Sequence, residues 1–149
     1  MKERTRARSL ALQVLYETDM SDHPAGTVFT QRLKEYPLSK NEKRRKSLED
    51  FAHEIVFGVF PLREKLDIAI ADYAPDWPLE QIAPIDRNIL RISFWEFGIS
   101  QKTPVKVAIN EAVELAKIYG SDSAPSFING VLGSLAAQKN EIFQSFEGI

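Results

Sequence analysis

Residues 104–135 open with Pro104-Val105-Lys106-Val107-Ala108-Ile109-Asn110-Glu111-Ala112-Val113-Glu114-Leu115-Ala116-Lys117 and pass through Gly120 to Phe127-Ile128-Asn129-Gly130-Val131-Leu132. Pro104 suits a first helical turn, where its missing N–H costs nothing. Ala108, Ile109, Ala112, Val113 and Ala116 recur at helical spacing and form one apolar face. Gly120 is the expected left-handed stop. Ser121, Asp122 and Ser123 offer caps for a second helix, with Pro125 in its first turn. Phe127, Ile128, Val131, Leu132 and Leu135 give that helix its apolar face. Asn129-Gly130 suits a β-turn, but its flanks lack strand alternation. The stretch therefore predicts a helical hairpin.

The rest of the chain extends the helical pattern. At 149 residues, 44% hydrophobic and 27% charged, it fits one globular domain with a core. No run is apolar and long enough for a bilayer span, and Arg4, Arg6 and Arg8 leave no room for a signal-peptide core. Zero cysteines exclude disulfides, thiolate metal sites and cysteine nucleophiles, which fits a cytoplasmic protein. A net charge of −2 gives no global attraction to polyanions, so nucleic-acid binding requires a local basic patch.

Taken in order, a first helix is expected over about Thr5 to Asp19, with Ala7, Leu10, Ala11, Val14 and Leu15 on its apolar face. Lys2, Arg6, Ser9, Gln13 and Tyr16 share a stripe on the other side, expected to face solvent. Cations there can neutralise phosphates and the ring can stack on an unpaired base. The plain alternative is a solvated face, with Arg4 and Arg8 lying along the core edge. Val28, Phe29 and Leu33 suggest a short second helix ended by Pro37. The basic run Lys40 to Lys46 reads first as a solvated helix start and only second as an RNA contact, although its cations suit a helix N-terminus poorly. Phe51, Ile55, Val56 and Val59 mark a third helix. Gly58 and Pro61 bend or break it before Leu66, Ile70 and Tyr73. Ala74-Pro75-Asp76-Trp77-Pro78 is the expected boundary between an N-terminal half, about 1–74, and a C-terminal half, about 75–149. Pro84 opens a helix apolar over much of its circumference, which predicts burial on several sides.

Catalytic and metal chemistry find little support. His23 and His53 have no ligand partners at helical spacing. No nucleophile elbow, dinucleotide fingerprint or phosphate-binding loop occurs. Gly130-Val131-Leu132-Gly133 reads as small residues for close helix packing. Asn110 and Glu111 border the apolar stripe and read best as structural hydrogen-bonding groups. No enzyme activity, cofactor or metal is expected.

Three blocks in order resemble the NusB family of bacterial transcription antitermination factors: Arg6-Ala7-Arg8 through Leu15-Tyr16-Glu17, Trp77 through Glu96, and the hairpin quoted above. The resemblance implies an all-α, single compact helical domain made of two small helical bundles packed together, residues 1–149. It also implies recognition of the single-stranded boxA element of nascent ribosomal RNA transcripts together with the ribosomal protein NusE. Other Nus factors and the RNA polymerase elongation complex are the wider partners. By motif, the implied N-terminal RNA contacts are Lys2, Arg4, Arg6, Arg8, Gln13 and Tyr16. Lys117, Tyr119, Ser121 and Asp122 are the second set, and one site built from both sets requires them to be neighbours. Glu80, Asp86, Arg87 and Arg91 fall in the implied partner-binding block, where an ion pair is an equal reading for Asp86 and Arg87. The family often has an acidic pair after the glycine, where this chain has Ser121-Asp122-Ser123; less repulsion of RNA is expected.

Two rivals remain at this level. NusB-like domains also lead some ribosomal RNA cytosine methyltransferases, but this chain carries no nucleotide-binding fold and no cysteine. A purely structural interaction protein is the other. A homodimer covering the first helix is compatible with the sequence.

Overall fold

The computed structural model describes residues 2–76 and 81–147, and every regular element among them is helical. The chain forms two compact units, Met1–Pro61 and Leu62–Ile149.

The first unit holds α1 (Glu3–Met20), α2 (Ala25–Glu35) and α3 (Glu42–Val59). α1 packs against both α2 and α3, so two of its sides are covered. Leu10, Leu12 and Val14 of α1 are fully buried, with Val28 of α2 and Leu48, Ile55 and Val56 of α3 at 2% exposure or less. α2 ends at Glu35, before Pro37, because a residue preceding proline is pushed out of the helical region. Asn41 caps α3, its side chain accepting from the Arg44 backbone N–H at 3.1 Å. That cap fixes where the helix starts despite the cations that follow. Pro61 sits in a 3-10 turn, Phe60–Leu62, so the chain makes two helices here, not one kinked helix.

The second unit holds α4 (Arg63–Tyr73), α5 (Pro84–Phe94), a π-helical segment (Trp95–Ser100), α6 (Val105–Tyr119), α7 (Ala124–Ala137) and α8 (Lys139–Glu147). α4 packs on α5 and α7, so it groups with the C-terminal elements and the unit begins before the Ala74–Pro78 break. Pro84 occupies the start of α5 as expected. Residues 88–98 are all buried, in keeping with the all-round apolar pattern. The π segment has no signal in the apolar periodicity. A Cβ at Gly98 would lie 2.6 Å from Cε1 of Phe94, so the Phe94 ring fills the space that any other residue needs. The turn's left-handed residue is Gln101, at φ 59°.

The helical hairpin is present, since α6 and α7 pack together and both contact α5. Ala108, Ala112, Leu115 and Ala116 of α6 and Ile128, Val131, Leu132 and Leu135 of α7 are among its buried residues. Four local expectations are corrected. Pro104 is the N-cap, one residue before the first helical position. Gly120 is extended, at φ −95° and ψ 179°. Its small size is used instead, because a Cβ there would lie 2.6 Å from the Ala124 Cβ and 2.9 Å from the Ala116 carbonyl oxygen. Ser123 precedes α7 without capping it; Ser121 and Ser123 hydroxyls are 3.4 Å apart. Finally, Gly133 is exposed and a Cβ there would meet nothing within 4 Å, so it does not serve close helix packing. After Leu135 the chain continues into α8, anchored by Ile142.

Candidate nucleic-acid interface

The candidate RNA residues of α1 divide by what covers them. Ser9 is buried at 4% exposure, so the expected polar stripe is not an open line. Arg6 donates to the Pro37 carbonyl, lies 3.8 Å from Glu3 and places its guanidinium 5.4 Å from the Tyr36 ring centroid. Gln13 accepts from Arg32 at 3.2 Å, and Arg32 also pairs with Glu17 at 2.9 Å. The stripe thus meets α2 and the segment after it through Arg32 and Tyr36. The helical wheel of α1 alone carries no sign of this contact, and the available clue is polar groups at the end of the next helix and just past it, Arg32 and Tyr36.

Arg8 is 3% exposed, its guanidinium 5.1 Å from the Phe51 ring centroid. Arg4 lies over the same ring at 4.3 Å but is exposed. A guanidinium held over a ring keeps its charge while losing part of its rotational freedom. Lys2, Arg4 and Tyr16 are therefore the exposed members of the α1 set, with Tyr16 at 36%. Beside Arg4 opens a depression of about 860 Å³ whose other wall is the start of α3, including Asn41, Lys43, Lys46 and Phe51. The basic run, read first as a plain solvated helix start, thus shares a depression with an α1 arginine.

In the second unit, Lys117, Ser121 and Asp122 are exposed, and Tyr119 is half-buried. Lys117 meets Glu114 at 3.0 Å, with more than half of each side chain exposed. Such a pair exchanges readily for another anion because water already screens it. Asn110 is exposed and Glu111 half-buried.

The partner-binding candidates fare differently from one another. Glu80 lies outside the described residues. Arg91 is 5% exposed and grips Asp67 with two hydrogen bonds, 2.7 and 2.6 Å, and Asn88 with a third at 3.0 Å. It is a buried tie between α4 and α5, which leaves it little surface for the partner contact that the resemblance implied. Arg87 is half-buried. Asp86 is 8% exposed; its Oδ1 has no hydrogen-bond partner among the described residues and lies 3.1 Å from where a Gly120 Cβ would be. Burial pushes its carboxyl pKa up from the ordinary value, outweighing the helix N-terminus, which favours the charged form.

Among the described residues no group of three or more acidic or histidine side chains is placed to hold a metal ion. No described helix is long and apolar enough to cross a membrane.

The NusB family model matches residues 5–137. The chain belongs to the NusB family. The transcription antitermination protein NusB of Roseiflexus castenholzii is 44% identical over 140 residues, covering 93% of this chain and 94% of that protein. Thermotoga maritima NusB has the same fold, with a TM-score of 0.79 at 26% identity, covering 97% of this chain and 99% of the other. A structure of the antitermination factors NusB and NusE in complex with double-stranded RNA matches at TM-score 0.77 and 23% identity, over 97% of this chain and 98% of that one. The all-α class follows from both the elements and these folds. NusB membership places the chain among non-enzymatic transcription antitermination proteins.

Proposed function

We propose that this NusB-family chain is an antitermination factor acting in the cytoplasm, where it binds the boxA element of nascent ribosomal RNA together with NusE and joins an antitermination complex on RNA polymerase. The observation that carries the RNA reading is the exposed surface of α1. Lys2, Arg4 and Tyr16 are exposed, whereas Arg6 and Gln13 of the α1 stripe are engaged with neighbours. Lys2 and Tyr16 are separated by about 20 Å of helix at ~1.5 Å per residue, room for several nucleotides. Cations there answer phosphates, and an exposed ring offers stacking to an unpaired base. Lys117, Ser121 and Asp122 in the second unit are proposed as further RNA contacts, and Arg6, Gln13 and Arg8 as the residues that hold α1 in place. Asp86 and Arg87 are proposed for the partner face, by their position in the family's partner-binding block.

The methyltransferase alternative is disfavoured, since the match spans 94% of a relative named for antitermination. The deciding experiment is binding of labelled boxA-type RNA with and without NusE. Tight binding, strengthened by NusE and weakened about tenfold by Tyr16→Ala, is expected. Equal binding to unrelated RNA, unaffected by Tyr16→Ala, overturns it.

A further inference from the structure

The depression between the start of α1 and the start of α3 has no role in the reading above beyond Arg4. Its volume, about 860 Å³, lies within the ~300–1,000 Å³ usual for small-ligand sites. Its charges are mixed. Arg4, Lys43 and Lys46 line it together with the carboxylates of Glu42, Asp50 and Glu54. A balanced lining gives a bare polyanion no net attraction, so the space is not simply a phosphate trap. It suits a group with a flat apolar face and a hydrogen-bond-donating edge.

Arg4 supplies the face. Its guanidinium is exposed, stacked 4.3 Å from the Phe51 ring centroid, and forms no ion pair among the described residues. A planar cation held this way is a platform on which bases stack. Asp50 supplies the acceptor: one oxygen lies 3.5 Å from Lys46, in a pair whose two side chains are 75% and 64% exposed, and the other has no hydrogen-bond partner among the described residues. Lys43, in the first turn of α3, is exposed and likewise forms no ion pair among the described residues. A helix start crowded with cations is held against the macrodipole, which makes an anion beside it favourable.

We infer that this depression is a nucleobase slot. It takes one unstacked base from the single strand bound at α1, stacked on Arg4 over Phe51, with Lys43 holding a flanking phosphate. The base carries an exocyclic amino group, because a carboxylate accepts from the amino groups of cytosine, adenine or guanine, whereas uracil has none. The inference rests on the RNA-binding reading above.

The test uses the full chain and a boxA-type RNA oligonucleotide, scanned with single abasic positions by fluorescence anisotropy. On the wild-type protein one abasic position, apart from the one that Tyr16 stacks on, should weaken binding about tenfold. Arg4→Lys keeps the charge and removes the planar platform. It should weaken the intact RNA by a similar factor, leave the salt dependence unchanged, and make that abasic position neutral. Asp50→Ala should erase the preference for cytosine, adenine or guanine over uracil there, and Lys43→Ala should reduce the salt dependence. All three side chains are exposed, so melting curves close to wild type are expected. Wild-type binding by Arg4→Lys and Lys43→Ala, alongside weakened binding by Tyr16→Ala, overturns the slot and leaves the α1 reading intact. No RNA binding by the wild-type protein overturns both. Loss of NusE binding in place of RNA binding reassigns the depression to a protein contact and overturns the slot.

Discussion

Two buried charged side chains of α5 pull in opposite energetic directions. Arg91 is satisfied on both arms of its guanidinium, and Asp67 is its partner. Removing Asp67 leaves a buried cation without its counter-charge, a loss of about 3 kcal/mol in similar pairs. Asp67→Ala should therefore lower the urea midpoint strongly with little change in m-value; a shift under about 0.5 kcal/mol would show the pair to be solvent-screened. Asp86 is the reverse case, a carboxylate whose buried Oδ1 has no donor among the described residues and whose pKa burial has raised. The folded chain then binds its proton more tightly than the unfolded chain does. Its contribution is fully present below the unfolded carboxylate pKa and is lost as pH rises through the raised folded value. Asp86→Asn keeps the shape and stays neutral, so it should gain stability over wild type at neutral pH and lose that advantage in acid. Parallel pH–stability curves for the two proteins would refute the assignment. Asparagine suits the site on size, since Asp86 is wedged beside Gly120 and there is no room for more.

At the scale of elements, α3 trades stability for charge. Asn41 caps it and Glu42 favours its first turn, yet Lys43 to Lys46 set cations against the macrodipole, each at a cost of about 0.3–1 kcal/mol when exposed. Lys43→Glu should raise the thermal midpoint slightly and weaken RNA binding at the same time. A change of the same sign in both measurements would separate the basic run from function. The existence of this helix, and of the hairpin α6–α7, was legible because apolar spacing and proline positions depend only on local chain geometry. The π segment was not, since the Phe94 ring against Gly98 is a packing event that periodicity does not encode. The solvent stripe of α1 misled for a related reason. A wheel assigns one buried side, whereas α1 is covered by both α2 and α3, and Arg6, Ser9 and Gln13 are polar residues used inside those contacts. Arg8 and Arg91 show the same limit, because burial of an arginine depends on a partner, Phe51 or Asp67, far away in sequence. Arg4, Lys43 and Phe51 met only through folding, so the basic run carried no sign of its neighbour.

For the whole molecule, the net charge of −2 and sequence pI of about 5.7 decide how RNA can be bound. A basic protein attracts any polyanion through its overall field, but this chain is mildly repelled and has to recruit a few placed cations. The exposed candidates are Lys2, Arg4, Lys43, Lys46 and Lys117. Lys46 and Lys117 are held by exposed acidic neighbours, which surrender them at small cost. For single strands each neutralised phosphate adds about 0.7 to the slope of log affinity against log salt, so five contacts set a ceiling near 3.5. Measured binding should show a slope between about 2 and 3.5, and heparin should compete poorly, because it offers charge without bases. A steeper slope with strong heparin competition would mean that charge alone holds the RNA, and the stacking roles of Tyr16 and Arg4 would fall. A slope near zero would remove the cations instead and leave only base contacts. The intermediate value is the signature of a chain that selects a single strand by a few phosphates and a few rings, against its own net charge.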